Sequence, residues 1–413
     1  MPLRLSPTQV AFNARGDGSF NVPFAQQVQF LRDKLNLPTE RYDDIVKAAH
    51  DRGFVVAGAV KADLLSDFHD AVNKAAREGK SMQWFRQNFN EIVRKNGWEG
   101  WTGSDTQAGR DWRARVIYQT NLTTSYAAGR WAQLNDPDLI KLRPYWKYVH
   151  NDNVQHPRPL HVSWSGLVLK HDDPWWKTHF PPNGWGCRCR VTAVSARQFD
   201  GDTPPDDGAR TVEDRFGQSH RVPNGIDYGW DYAPGSGTDA AFRSIVQEKL
   251  VRYPPAITRA LSRDVNRYII AHEDVAGFAA RAMQERSMEE TLWLGFVENA
   301  DTIKQKLNEE LTGYLVLLQS QNVRHIEISR QFDGQGQRPV QPEDFARIMS
   351  LFSNPSSIGM GKTSPMGNAT LVIHGSHGQE RVRLVFEILK GRKNRSLSLV
   401  SMVIKTGKAG GVQ

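Results

Sequence analysis

Sulfur is scarce in this chain. Its 413 residues include two cysteines, Cys187 and Cys189, and both lie in one short stretch, HFPPNGWGCRCRV, from His179 to Val191. Two thiols make no disulfide framework. One intervening residue also hinders a mutual bridge, which needs Cβ atoms within about 4.5 Å at a defined dihedral. Long apolar runs are missing as well. None approaches the ~20 residues that cross a bilayer, so no membrane partner is expected. The opening stretch MPLRLSPTQVAFNARGDGSFNVPF lacks the apolar core of a secretory signal, which points to the cytoplasm that makes the chain or to an assembly built there. No internal repeat is evident. GMGKTS at Gly359–Ser364 looks like the end of a phosphate-cradling loop, but the required first glycine is missing, and it reads as an ordinary loop.

What is present is charge, unevenly spread. Net charge is +8, with 53 basic and 45 acidic residues. From Tyr314 to Gln413 there are 13 Lys and Arg against 6 Asp and Glu, a net of +7. Such a surface attracts nucleic acid by releasing counterions from phosphates. Solubility alone is the plainer explanation of a modest excess.

The periodicity divides the chain into an α+β arrangement. Residues 1–30, rich in Pro and Gly, read as an N-terminal arm. The next module runs over 31–235, helical over 37–140. Within it, LNLPTERYDDIVKAAHDRGF offers Thr39 as a helix start, with acidic residues in its first turns. KADLLSDFHDAVNKAAREG puts Leu64, Phe68, Ala71, Val72 and Ala75 on one face and stops at Gly79. In SMQWFRQNFNEIVRKNG, Ser81 caps, Phe85, Phe89, Ile92 and Val93 form a stripe, and Gly97 ends it. A longer helix follows, with Trp112, Val116, Tyr118 and Ala127 among its apolar positions.

From 144 to 235 the helical period gives way to aromatics, Gly and Pro. Short strands such as WKYVH and CRVTAVS are joined there by rigid turns. Residues 236–312 read as a helical linker broken at Pro254 and Pro255. Residues 313–413 form a separate small α+β domain with an antiparallel sheet, in which Val382, Leu384, Phe386 and Ile388 alternate with polar neighbours.

Two thiols bracketing one residue can act as adjacent soft ligands. A structural zinc needs four donors, and Cys187, Cys189, His161 and His179 supply that number. His156 and His171 lie nearby in sequence. The other reading is a packed turn: half-buried thiols beside Trp185, with Arg188 and Arg190 pointing outward. Pro181 and Pro182 fix φ there, while Gly184 and Gly186 permit positive φ.

RPLHVSWSGLVLKHDDPWWKTHFPPNGWGCRCRV closely resembles the signature of the phage Mu F-like minor head, or head morphogenesis, proteins. The matching positions are Arg158, Pro159, His161, Gly166, Asp173, Pro174, Trp176, and Pro181 through Cys189, including Asn183, Gly184, Trp185 and Arg188. HDRGFVVAG, NGWEGW, RPYWKYV and GIDYGWDYAPG stand in the same order, so the resemblance covers about 37–235. It implies a tailed-phage or prophage structural protein in the virion head at the portal vertex. The implied partners are the portal protein and capsid or scaffold components. The implied roles are head assembly and the packaging or ejection of phage DNA. Some such proteins carry a further Cys pair where this chain has HPRPLH.

The tail resembles the phage barnase, EndoU, colicin and RelE-like nucleases in its order of strand, "RHI" helix, "NP" turn and final meander. That resemblance implies a metal-independent ribonuclease acting on host RNA, with an immunity-type inhibitor as a further partner. RNA cleavage needs a base, an acid and a cation for the phosphorane. The implied candidates are His325 as acid/base, with Arg324, Arg330, Lys390 and Lys405 near the phosphate. Ser398 and Thr406 would donate hydrogen bonds. His374 or His377 could supply a second proton carrier, since Arg330 stands where such nucleases often have one. Arg381, Arg383, Arg392, Lys393 and Arg395 are the candidate nucleic-acid contacts. A basic, catalytically silent domain that grips DNA is the competing reading.

Overall fold

The computed structural model describes residues 24–237, 239–391 and 395–406. The chain is α+β and divides into two compact units between Phe242 and Arg243.

The first unit opens with α1 (Ala25–Arg32), followed by two short strands paired in parallel, β1 (Leu35–Asn36) and β2 (Gly53–Phe54). Then come α2 (Ala62–Glu78), α3 (Met82–Asn96) and α4 (Gln107–Leu134). The expected stripes are the buried faces. Leu64, Phe68, Ala71, Val72 and Ala75 of α2 are buried, and Gly79 ends the helix in the left-handed region at φ 62°. Ser81 accepts from Trp84 N at the start of α3, and Phe85 and Phe89 are buried. With Phe54, Trp98 and α4 they form one core.

Three expectations change here. The arm is helical from Ala25, because α4 presents small residues to it. Gln27 Nε2 donates to Leu122 O at 3.1 Å and to Ser125 Oγ at 3.2 Å, and a Cβ on Gly129 would stand 2.7 Å from the Phe24 ring. No α-helix starts at Thr39. That residue is buried, and Asp44 spends its carboxylate on the N–H groups of Glu40 and Arg41, which holds a turn instead. Trp112 on α4 is 52% exposed; Ala114, Ile117, Leu122, Ala127, Ala128 and Leu134 form the buried side.

α4 also reaches a second core. After α5 (Pro137–Leu142) the chain forms β3 (Tyr145–Val149), α6 (Pro159–Ser163), β4 (Val168–Lys170), α7 (Trp176–His179) and β5 (Arg190–Val194). The three strands make an antiparallel sheet in the order β4-β3-β5. Trp146 and Tyr148 of β3 point inward and pack with Trp164, Trp175, Trp176, Phe180, Ile226 and Trp230, together with Ala127 and Leu134 of α4. A hairpin of β6 (Ala209–Glu213) and β7 (Ser219–Pro223) follows. The segment to Gly237 is then tied down: Asp231 pairs with Lys47 at 2.7 Å, and Asp51 accepts from the N–H groups of Gly235 and Gly237.

The division between units falls within α8 (Asp239–Arg252). α9 (Pro255–His272) and α10 (Val275–Gln284) follow, then β8 (Thr291–Phe296), α11 (Ala300–Leu307), β9 (Leu315–Gln319) and α12 (Ser320–Ser329). β10 (Gln337–Arg338), α13 (Pro342–Phe345) and α14 (Ile348–Ser353) lead to β11 (Ser357–Met360), β12 (Thr370–His377), β13 (Glu380–Lys390) and β14 (Arg395–Thr406).

The sheet order is β11-β12-β13-β14-β9-β8, with β10 also on β14. Every pairing is antiparallel except β14 with β9. Val382, Leu384, Phe386 and Ile388 face the core as the alternation requires. The stretch 236–312, expected to be helical, thus also contains a strand of this sheet. Asn266 of α9 secures it: its Nδ2 donates to Phe296 O at 3.0 Å and its Oδ1 accepts from Phe296 N at 2.8 Å.

Candidate functional site

The Cys-x-Cys turn is built from the backbone outward. Pro181, Pro182, Asn183 and Gly184 are buried, with a cis bond between the prolines. Gly184 has no room for a side chain, since a Cβ there would sit 2.7 Å from Asp227 Cγ. That space holds a fork. Arg158 Nη1 and Nη2 donate to the two Asp227 oxygens at 2.9 and 2.8 Å, the bidentate geometry that suits guanidinium. Asp227 also accepts from Trp185 N at 3.0 Å, and Arg158 donates to Trp185 O at 3.2 Å. Asn183 completes the brace: Tyr148 Oη donates to its side-chain oxygen at 2.9 Å, and its backbone oxygen accepts from Asp227 N at 3.0 Å. Trp185 is 45% exposed and lies edge-on to Trp230 and Tyr42. Arg188 and Arg190 are exposed, as the alternation expects.

Behind this brace three donors converge. His161 is 2% exposed, on α6, stacked against Trp164. Its Nε2 lies 2.8 Å from Gly225 O. A carbonyl only accepts, so Nε2 carries the proton and Nδ1 presents a free lone pair. Gly225 comes this close because it has no side chain: a Cβ would stand 2.7 Å from the Trp164 ring and 3.0 Å from Leu160. Cys187 Sγ and Cys189 Sγ each lie 3.7 Å from His161 Nδ1. Among the described residues, these three are the one group of His, Cys, Asp or Glu donors gathered within 4.8 Å of one another. The two sulfurs titrate as a pair. Their mutual contact pushes Cys187 up and Cys189 down.

His179, the fourth expected donor, stands apart from that group. Its ring stacks on Trp175, and its Nδ1 is engaged with Thr178 Oγ1 at 2.8 Å and Trp175 O at 3.2 Å. Burial lowers its pKa to about 4, which keeps it neutral. Tyr148, Gly225 and Asp227 were not singled out in the sequence. The one signal for Asp227 was its place in GIDYGWDYAPG.

The candidates in the second unit are scattered. Arg324 donates to the carbonyls of Ala282, Glu285 and Met288, so it braces α12 rather than facing a substrate. Ser398 is 1% exposed and bonded to Asn322. Ser320, the first residue of α12, ties Met288 O and Glu290 N. Lys390 pairs with Glu309 at 2.9 Å and Lys405 with Asp333 at 3.4 Å. Lys405 lies opposite Arg381, while Lys390 ends the same strand nine residues on, so the two ammonium groups attach about 30 Å apart. One phosphate cannot engage both.

His325 is exposed on α12, Arg330 donates to Ser401 Oγ at 2.8 Å, and Thr406 Oγ1 donates to Gly336 O at 3.2 Å. Arg381 and Arg383 are exposed on β13, with His374 opposite Arg383. Arg395 is exposed at the start of β14, opposite Lys390. Arg392 and Lys393 lie outside the described residues.

The braced turn and the helices before it coincide with a known class. Residues 66–192 match the family described as Phage Mu protein F like protein. Two curated phage relatives extend the likeness along the chain. "Putative capsid assembly protein F" of Escherichia phage Mu is 29% identical over 377 residues, spanning 82% of this chain and 81% of that protein. "Mu-like prophage FluMu F protein" of Haemophilus influenzae is 27% identical over 354 residues, spanning 78% of this chain and 84% of that protein. The family match spans about a third of the chain, and the two relatives carry the likeness beyond it. No solved structure matches.

Proposed function

We propose that this chain is a minor head protein of a Mu-like phage or prophage. It works in capsid assembly, sits in the phage head at the portal vertex, and contacts the portal protein and capsid or scaffold components during head assembly and the packaging or ejection of DNA. The observation that carries this reading is the extent of the likeness to the phage Mu relative, which spans 82% of the chain. Neither unit alone is that long, so the matched stretch enters both. The braced Cys-x-Cys turn in the matched family segment supplies a stiff surface for docking. No helix among the described residues is long and apolar enough to cross a membrane.

The test is the composition of gradient-purified heads from the encoding phage. The expected result is this chain in few copies together with portal, and a deletion that leaves few or empty heads. DNA-filled heads that lack the chain would refute the proposal.

The second unit in this reading grips nucleic acid without cutting it. The separation of Lys390 from Lys405 by about 30 Å of strand favours binding, as does a likeness to a capsid assembly protein that runs into this unit. Purified full chain should bind duplex DNA and mixed RNA with strong salt dependence and leave both intact. RNA cleavage that His325→Ala abolishes would overturn the silent reading and restore the toxin-like one, with its immunity-type inhibitor.

A further inference from the structure

We propose that His161, Cys187 and Cys189 form a three-donor site for a soft divalent metal, zinc first, with a fourth position open to an exchangeable ligand. The distances decide between chelation and plain packing. A tetrahedral zinc with Zn–S near 2.3 Å and Zn–N near 2.05 Å sets sulfur and nitrogen about 3.6 Å apart. Both sulfurs lie 3.7 Å from the same Nδ1. Hydrogen bonding does not explain two equal contacts, because Nδ1 has a single lone pair and accepts from one thiol. A cation between the three atoms satisfies all of them.

The surroundings fit. The bond from Nε2 to Gly225 O fixes the tautomer and aims Nδ1 into the site, the outer-shell arrangement of metal-bound histidines. Two thiolates and a neutral imidazole cancel the charge of a divalent ion. That matters where His161 and Cys187 are nearly closed to solvent, since a net charge there would be costly to bury. The thiolate pair selects zinc over magnesium or calcium, which take oxygen. Among the described residues no fourth His, Cys, Asp or Glu joins the group, and His179 is committed elsewhere. The metal would clip α6 to the Cys-x-Cys turn, so that two segments about 26 residues apart close on one point.

The experiment uses the full chain purified under reducing conditions, with added zinc sulfate and then cobalt(II) as probes. Elemental analysis should give one zinc per chain. Cobalt should give the intense visible bands of a four-coordinate ion and a thiolate charge-transfer band. Cys187→Ser/Cys189→Ser should lose the metal and both spectral features, and Cys189→Ser alone should lose the charge-transfer intensity in part. His179→Gln should keep full stoichiometry, because His179 is not a donor. A chelator should lower the melting temperature of the wild type and leave the double-serine variant unchanged.

A folded wild-type chain that binds neither ion, and whose thiols react with a thiol reagent equally with and without zinc, overturns the proposal. Loss of metal in His179→Gln with the fold intact would overturn the three-donor assignment.

Discussion

Gly184 and Gly186 lie two residues apart in one turn, and replacing each by alanine should have different consequences. At Gly184 the new Cβ would lie 2.7 Å from Asp227 Cγ, where carbon atoms rest at about 3.5–4.0 Å. The carboxylate must therefore withdraw by roughly 1 Å, out of reach of Arg158 and Trp185 N. Charge-assisted bonds are worth about 1.5–3 kcal/mol each. This pair is about one-third exposed, with side-chain exposures of 33% and 31%, so screening reduces the joint loss, and with the overlap the cost is about 3 kcal/mol. Gly186 has φ 72° and open space around it. Alanine there meets only the left-handed backbone penalty, about 1 kcal/mol after the gain from a stiffer unfolded chain.

Tryptophan emission isolates the effect. Of the 12 tryptophans, Trp293 alone lies after Phe242, so the signal reports the first unit. Gly184→Ala should lower its melting temperature by roughly 6–12 °C and Gly186→Ala by about a third of that. In an Asp227→Ala background Gly184→Ala should cost about 1 kcal/mol or less, because the vacated space accepts the methyl. Equal effects of the two alanines, or strict additivity with Asp227→Ala, would refute the close-packing argument.

Four further outcomes are expected. Gly129→Val should detach α1, seen as rapid proteolysis near 24–33 with the rest of the unit intact; unchanged resistance would contradict the packing of Phe24 on α4. His50 and His179 are each pushed down to about 4, by burial first and, at His50, then by the charge of Lys34. The unfolded chain binds those protons near pH 6.5, so first-unit stability is full above that pH. It should fall towards pH 4 by on the order of 2–3 kcal/mol per histidine, in part offset by Asp51, whose pKa burial raises. Equal urea midpoints near pH 7.5 and 5 would count against it. Arg338→Met strips the bidentate partner from Asp344, which is 4% exposed, and from Glu380, leaving both to Arg347 at 3.3 and 3.7 Å; the second unit should lose about 2 kcal/mol by calorimetry. Arg381→Ala/Arg383→Ala should weaken duplex DNA binding and reduce the slope of log K against log salt by about 2, whereas an unchanged slope would place the phosphate path elsewhere.

Local patterns were legible where one face of an element meets one core. The stripes of α2 and α3, their Ser81 and Gly79 caps, and the alternation of β13 could all be read directly. Thr39 misled because the carboxylate that would serve a helix start is spent within a turn by Asp44. β8 was hidden in helical surroundings because Trp293, Leu294, Gly295 and Phe296 are buried in succession rather than alternately. The pair of thiols was visible, but which histidine meets them was not. That choice rests on Gly225, some 64 residues beyond His161, and a backbone carbonyl leaves no trace in side-chain pattern. Arg324 and Lys390 illustrate the converse. Their charge invited a phosphate, yet three carbonyls and a glutamate already claim them.

α4 runs for 28 residues, about 42 Å of continuous helix, and its two ends are embedded in different clusters of aromatic side chains. Ala114, Ile117 and Leu122 sit in one cluster and Ala127 and Leu134 in the other. A twist applied near the Cys-x-Cys turn would therefore reach the cluster around Phe68 and Phe89 along one rigid helix rather than through a jointed loop.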